Sequence, residues 1–278
     1  MKEQVKKLIP SSIFPFAQKV YLKWKLYNES RMSDFSKKQL DSLTALKCRV
    51  SYNKYGGYCV PESSRHRPAA QKILANSIYE PRTIEFMRAN CGDGDIVHAG
   101  TYFGDFLPAL SAACKSGSKV WAFEPNPENY CCAKITLEIN GLDNVMLTNA
   151  GVGAERALLR VMTKDSQGRA LGGSSRIIAD TEPNDLGSEA IQIVTVDETV
   201  GNNRNVSIIQ FDVEGHEKEA LTGALDTIRR CHPILILEDL PESSLIESDW
   251  FYQNILNLGY HKSIDIHGNK VFTYLYVK

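Results

Sequence analysis

The sequence predicts an α/β protein built on a doubly wound, mostly parallel sheet, with an N-terminal helical extension and a small β insert. Three observations predict it. From residue 96 onward, apolar runs of strand length alternate with helical stretches of about 10–15 residues. The first of these strands enters a glycine turn, Gly100-Thr101-Tyr102-Phe103-Gly104. The second ends on a carboxylate, Glu124, 24 positions after Gly100. In a βαβ unit that is where the second strand tip meets a ligand lying across the sheet edge.

The elements run in order along the chain. Residues 1–50 read as helical, with Ser33 or Ser36 as N-caps and Leu40, Leu43 and Leu46 three apart on one face. Residues 52–60 are aromatic and glycine-containing and end at Pro61, which suggests a hairpin. We expect an extension over 1–64 and a main domain over 65–278. Within the latter, 68–90 reads as helix broken near Pro81. Strand 96–99, a helix near 105–116, strand 119–123, helix 127–140 and strand 145–148 come next. Strands at 157–161 and 191–196 flank the loop Leu171-Gly172-Gly173-Ser174-Ser175, the β insert. Strand 206–211, helix 217–230, strand 233–237 and helix 250–258 resume the alternation. A last strand at 271–277 suits an antiparallel edge.

Composition narrows the class. Apolar residues at 43% and charged residues at 23% are ordinary for a globular protein with a full core. A net charge of −1 gives no reason to expect nucleic acid as a partner. Residues 1–40 nevertheless carry +6 and the remainder −7. Segment 13–27 mixes aromatics with lysines, a composition that suits peripheral contact with the inner membrane face as well as docking on the body. No signal-peptide pattern opens the chain, and no apolar run approaches the ~18 residues of a membrane span. Seven cysteines without a CxxC pair read as reduced, mostly buried thiols of a cytoplasmic protein. Nothing here fixes an oligomeric state.

Chemistry concentrates at three strand ends. Gly100 and Gly104 permit a tight turn and close approach of a ligand to the backbone. Glu124 can accept hydrogen bonds from both hydroxyls of a ribose, although a strand-end acid beside a turn is the plain alternative. Strand 206–211 runs into Asp212, Glu214 and His216, three polar groups within five residues. Their crowding at a sheet edge points to a site, whereas Glu214-Gly215 as a turn and His216 as a helix-start residue is the simpler reading. Ser174 and Ser175 suit a pocket wall or a flexible turn equally well.

The constellation resembles the FkbM-type methyltransferases across about residues 65–240. It does so through Tyr79-Glu80-Pro81, the Gly100–Gly104 loop, Phe123-Glu124-Pro125-Asn126, Asn149-Ala150-Gly151-Val152-Gly153, Gly173-Ser174-Ser175, Thr195-Val196-Asp197-Glu198 and Asp212-Val213-Glu214-Gly215-His216-Glu217. The resemblance implies a Rossmann-like class I methyltransferase fold with S-adenosyl-L-methionine as cofactor. It implies that the cofactor is held by Glu80, His98, Gly100, Thr101, Tyr102, Gly104, Glu124, Pro125, Asn126, Asn149, Ala150 and Asp212. It also implies O-methylation of a hydroxyl on a sugar, glycan or secondary metabolite. Two positions depart from the family pattern: His98 stands where an acidic residue is usual, and Tyr102 where a small polar one is.

A hydroxyl nucleophile benefits from a base, and His216 or Asp212 is expected to take its proton while Glu214 orients the site. No metal is expected, although Asp212, Glu214 and His216 are plausible ligands. Glu80 reads equally as a neighbour of the cofactor's amino-acid end and as a helix-terminus acid before Pro81. Two rivals share the glycine turn and the strand-end acid. One is an NAD(P)-dependent oxidoreductase, for which Tyr130 and Lys134 match a Tyr-x-x-x-Lys pattern, but in the helix directly after Glu124. The other is a non-catalytic nucleoside-binding module.

Overall fold

The computed structural model describes residues 46–178, 187–238 and 244–275. The helices expected before residue 46 and the segment 13–27 lie outside them. The chain divides into two units, Met1–Leu46 and Lys47–Lys278, and every described helix and strand belongs to the second.

That unit opens with an antiparallel hairpin, β1 (Cys48–Asn53) and β2 (Gly56–Pro61). Helices α1 (Pro68–Leu74) and α2 (Pro81–Asn90) both start on a proline, whose fixed φ suits the first helical position. A βαβαβ run comes next: β3 (Asp95–Ala99), α3 (Leu107–Ser111), β4 (Val120–Phe123), α4 (Pro127–Asn140) and β5 (Val145–Thr148). The insert contributes β6 (Gly151–Val152), β7 (Ala157–Met162), β8 (Arg176–Ile178) and β9 (Ser188–Val194). They form a separate four-stranded sheet in the order β6-β9-β7-β8. The main sheet resumes after α5 (Val196–Val200) with β10 (Val206–Phe211), α6 (Glu217–Thr222), α7 (Leu225–Cys231) and β11 (Ile234–Glu238). It ends with α8 (Asp249–Asn254), β12 (Tyr260–Ile266) and β13 (Asn269–Tyr274).

Seven strands line up in the order β12-β13-β11-β10-β3-β4-β5. Strands β11, β10, β3, β4 and β5 are parallel, and β13 runs antiparallel to both of its neighbours. Period-two alternation gives the sheet two apolar faces. Val97, Ala99, Ile209, Phe211, Leu235 and Leu237 pack with Leu221, Ile228 and Phe251 on one side. Ile96, Val120, Ile208 and Ile236 pack with Ile84, Met87 and Leu110 on the other. Connections leave β3 towards β4 and β10 towards β11, so the strand order reverses between β3 and β10. A cleft opens there, beyond the carboxyl ends of the strands.

Helix α4 spans the predicted 127–140, because its ends are written locally. The Asn126 side chain accepts from the backbone N–H of Glu128 and Asn129, Pro127 opens the first turn, and Gly141 closes it in the left-handed region at φ 63°. Elsewhere tertiary contacts overrode the local pattern. The predicted helix 217–230 divides into α6 and α7 at Gly223, where a Cβ would lie 1.9 Å from the carbonyl oxygen of Gly153. Backbone there must pass against backbone, and the helix bends to allow it. The single strand expected at 271–277 is instead the second half of a hairpin turned by His267 and Gly268, with φ 50° and 90°. Two positive φ values match the two-residue turns that suit strand twist. Strand β12 lacks a sequence signature because its edge position leaves Lys262 to Asp265 exposed. The β1–β2 hairpin packs with the body: Asn140 Oδ1 accepts from Gly57 N–H at 2.8 Å, and Thr136 Oγ1 from Cys59 N–H at 3.0 Å.

The amino-terminal end of the central strand β3 is pinned by Asp95. Its carboxylate is 1% exposed and accepts from Arg204 Nε at 2.7 Å, Arg204 Nη2 at 2.5 Å, Trp121 Nε1 at 2.7 Å and Lys119 N–H at 2.9 Å. Burial pushes its pKa up, but these donors outweigh burial and hold it below the usual carboxylate range. Asp95→Ala should cost about 1–3 kcal/mol in urea unfolding at pH 7, since it leaves the donors of Trp121, Lys119 and Arg204 without their acceptor. The folded-state pKa is depressed, so this stabilisation is present above the unfolded value of about 3.9 and is lost as pH falls through the folded one. The gap between wild type and variant should therefore narrow below about pH 4.

Candidate functional site

The cleft is built from the tips of β3, β4, β10 and β11. After Ala99 the chain turns at Gly100, with φ +87° and its Cβ direction blocked 1.8 Å away by the carbonyl oxygen of Asp212. Only glycine satisfies both conditions. Thr101 is buried and its hydroxyl donates to the carbonyl of His98 at 3.2 Å. Tyr102 is left-handed at φ 53°, which swings its N–H onto Glu124 Oε2 at 2.7 Å. Its phenol meets Ser64 Oγ at 2.6 Å. Gly104, at φ +84°, closes the turn against Leu107, Ala133 and Thr136.

Glu124 is the centre of the first half of the cleft. It is 3% exposed, and its Oε1 accepts from Asn126 N–H at 2.8 Å and Asn129 Nδ2 at 3.3 Å. Burial lifts its pKa to about 8 against the pull of these donors. Asn149 Nδ2 donates to the carbonyls of Glu124 and Pro125 at 2.8 and 3.3 Å, which fixes the chain leaving β4. Gly100, Glu124, Pro125, Ala150, Gly173 and Ser175 line a small cavity of about 30 Å³. The tight turn Gly172–Ser174 lies across it, tied by Asn129 Nδ2 to the Gly172 carbonyl at 3.0 Å and by Asn126 Nδ2 to Ser175 Oγ at 3.0 Å.

The second half is larger, about 190 Å³, and shares Gly100, Gly173 and Asp212 with the first. Five carboxylates line it: Glu80, Asp105, Asp212, Glu214 and Glu238. Arg67 is the cation among its lining residues and donates to Ser174 Oγ. Asp212 and Glu238 follow the paired residues Phe211 and Leu237 on neighbouring parallel strands, so they stand side by side. Glu214 joins them from the turn after β10, in left-handed backbone at φ 54°. One carboxylate oxygen from each of Asp212, Glu214 and Glu238 lies within 4.8 Å of the others.

Burial and mutual repulsion raise these acids together. Asp105 is pushed up to about 7 by burial and by Glu80. Burial, then Glu238 and Glu214, hold Asp212 well above the carboxylate range. Glu214 and Glu238 are raised chiefly by burial. Glu80 is likewise raised by burial, against hydrogen bonds from Thr83 Oγ1 at 3.0 Å and Asn269 Nδ2 at 3.1 Å. His98 lies one row deeper, paired in register with Gln210 and stacked on Phe106 at 5.3 Å between centroids. Burial drives its pKa down to about 4, so the ring is neutral.

Most of the expected site residues thus converge. Glu80, His98, Gly100, Tyr102, Asp212 and Glu214 face the larger cavity, while Glu124, Pro125 and Ala150 face the smaller one. Thr101, Gly104, Asn126 and Asn149 hold the turns that shape them. His216 is not among the lining residues of either cavity. It stands at the start of α6 with no side-chain hydrogen bond to the helix, Nε2 beside Gly153 and Nδ1 3.7 Å from Glu219 Oε2. Sequence reasoning missed Asp105, Gln210 and Glu238. Glu238 had a signal, because it closes an apolar strand as Glu124 and Asp212 do.

The chain matches the family of the methyltransferase FkbM domain over residues 98–260, more than half of its length. None of the curated proteins compared with it matches. Among solved structures it is similar to the methyltransferase FkbM from Methylobacillus flagellatus KT, with 18% identity and a TM-score of 0.45. That alignment covers 66% of this chain and 44% of the other, so this chain spans less than half of that protein. It is also similar to a SAM-dependent methyltransferase from Aquifex aeolicus, with 15% identity, a TM-score of 0.40 and coverage of 77% and 95%. A tRNA (uracil-54, C5)-methyltransferase from Pyrococcus abyssi in complex with S-adenosyl-L-homocysteine aligns with 11% identity, a TM-score of 0.40 and coverage of 81% and 43%. On the family match and its own sheet order, the chain belongs to the FkbM methyltransferases, with the class I methyltransferase fold and S-adenosylmethionine as cofactor.

Proposed function

We propose that this protein methylates a hydroxyl oxygen of a sugar, glycan or secondary metabolite. The observation that carries the reading is the pair of adjoining cavities that meet at Gly100 and Asp212, one built around Glu124 and the other around five carboxylates. The donor set fits the cofactor. A buried carboxylate with lone pairs to spare suits ribose hydroxyls, and Pro125 and Ala150 offer apolar walls to a base. Glu80 and Asp105 suit an ammonium group, and neutral His98 adds no positive charge against it. Bound there, S-adenosylmethionine supplies an electrophilic methyl group on a sulfonium.

The remaining work belongs to the acceptor side. An oxygen entering the larger cavity is positioned by its walls, and such positioning supplies much of the acceleration in a transfer of this kind. Asp212 and Glu238 form a pair in which Asp212 donates to Glu238, so the pair holds one proton and one charge. The charged partner accepts the hydroxyl proton, and Glu214 orients the group. This assigns the base to the acidic pair, with His216 at a helix start outside the cleft. Tyr130 and Lys134 line neither cavity, so the hydride-transfer arrangement finds no support.

Release of S-adenosylhomocysteine from a panel of hydroxylated acceptors tests the reading, and no turnover with any of them would remove it. Glu238→Gln should lower kcat by about 10²–10⁴-fold with cofactor affinity little changed, whereas His216→Ala should keep most of the rate. The reverse pattern would return the base to His216. We place the enzyme in the cytoplasm on its seven free thiols, with segment 13–27 available for contact at the inner membrane face. Among the described residues no helix is long and apolar enough to cross a membrane.

A further inference from the structure

We propose that Glu217 is a positioning residue for the reaction: it holds the turn after β10 in the left-handed shape that presents Glu214 to the larger cavity. Glu214 carries a Cβ yet sits at φ 54°, and Gly215 follows it at φ 92°. A residue with a side chain stays in such backbone only where its surroundings over-determine it.

Glu217 supplies that determination. Its Oε1 accepts from the N–H of Val213 at 3.1 Å and from the N–H of Gly215 at 3.3 Å, the two residues that flank Glu214. One oxygen therefore clamps both sides of the strained residue. Backbone bonds anchor the ends of the same turn: Asp212 N–H donates to the Ala99 carbonyl at 3.2 Å, and His216 N–H to the Val213 carbonyl at 3.3 Å. The carboxylate of Glu214 is held separately, by a hydrogen bond with Ser174 from the Gly172–Ser174 turn.

Glu217 is 2% exposed, so water does not stand in for it. Burial raises its pKa against the pull of the two N–H groups. It lines neither cavity, so it acts on their contents only through the turn it holds. The consequence for turnover rests on the acceptor reading above, in which Glu214 orients the hydroxyl. Rotation of Glu214 out of left-handed backbone would swing its carboxylate away from Asp212 and Glu238, whose oxygens lie within 4.8 Å of it.

Two substitutions separate reach from charge. Glu217→Gln keeps an accepting oxygen at the same reach, while Glu217→Asp keeps the carboxylate and draws it back by one methylene. Glu217→Gln should keep most of the wild-type kcat, and Glu217→Asp should lose about 100-fold, the scale of an ångström of misplacement. Calorimetric affinity for S-adenosylhomocysteine should be unchanged in both. Amide hydrogen exchange followed by NMR should show Val213 and Gly215 protected in wild type and in Glu217→Gln, and exchanging faster in Glu217→Asp. A loss in Glu217→Gln as large as that in Glu217→Asp overturns the proposal. So does a lowered Tm with kcat intact in Glu217→Asp, which leaves Glu217 a stabilising role alone. The same data separate the hold from the reaction. The expected amide pattern, with no panel acceptor methylated by wild type, removes the acceptor reading and keeps the hold on Glu214. Turnover by wild type, with equal amide protection in all three proteins, removes the hold alone.

Discussion

Gly100→Ala is expected to destabilise the protein by about 3 kcal/mol or more and to weaken S-adenosylhomocysteine binding about 100-fold. Two costs add. Holding an alanine at φ +87° costs about 1–2 kcal/mol. The new methyl would also lie 1.8 Å from the Asp212 carbonyl oxygen, which is backbone and cannot swing aside. The tips of β3 and β10 would have to part where the two cavities join. Gly117→Ala isolates the first cost, since Gly117 has φ +89° and nothing within 4 Å of its Cβ direction. Urea unfolding should place that variant about 1 kcal/mol below wild type, with calorimetric affinity unchanged. Matching losses in the two variants would mean that the close approach of the strands is unimportant.

Above pH 8, where Glu124 is ionised, Glu124→Gln should raise the dissociation constant of S-adenosylhomocysteine by about 10–100-fold, the worth of a charge-assisted hydrogen bond. The pH dependence is more diagnostic than the loss. Glutamine imitates the protonated acid, and Glu124 titrates near pH 8 in the folded protein against about 4.3 when unfolded. The folded state therefore binds the extra proton, and this contribution to stability is full below about pH 4.3 and lost as pH rises through 8. The Tm of the glutamine variant should rise relative to wild type between pH 5 and pH 9. Over the same range wild-type affinity should increase as the carboxylate ionises, while the variant's stays flat. Parallel Tm curves would show that Glu124 is already charged at pH 5.

These two residues also mark what was legible in the sequence. Gly100 and Glu124 stand at strand ends, where the type of residue and its spacing report directly on a turn and a ligand edge. Helix α4 was legible for the same reason: its proline, its capping asparagine and its terminal glycine lie within its own length. Glu238 was not, because its place beside Asp212 is decided by β10 pairing with β11 in parallel, a relation between distant segments. The orientation of His216 is a rotation about a helix start, which spacing does not encode. Gly223 divided a helix because Gly153, 70 positions earlier, passes beneath it. His98 and Tyr102, the two departures from the family pattern, are accommodated by partners no local window contains: Gln210 for one and Ser64 for the other.

The turn at Gly172–Ser174 couples the two halves of the cleft. The cavity beside it, about 30 Å³, is much smaller than the 190 Å³ one it adjoins. Asn126 and Asn129 hold Ser175 and Gly172, so moving the turn breaks two hydrogen bonds. Both asparagines belong to the rigid start of α4, so the moving part is the turn. Gly173 lines both cavities, Ser174 the larger and Ser175 the smaller, so a shift of the turn reshapes the two halves of the cleft together. Residence time in one half of the cleft and traffic through the other are thereby tied to a single turn.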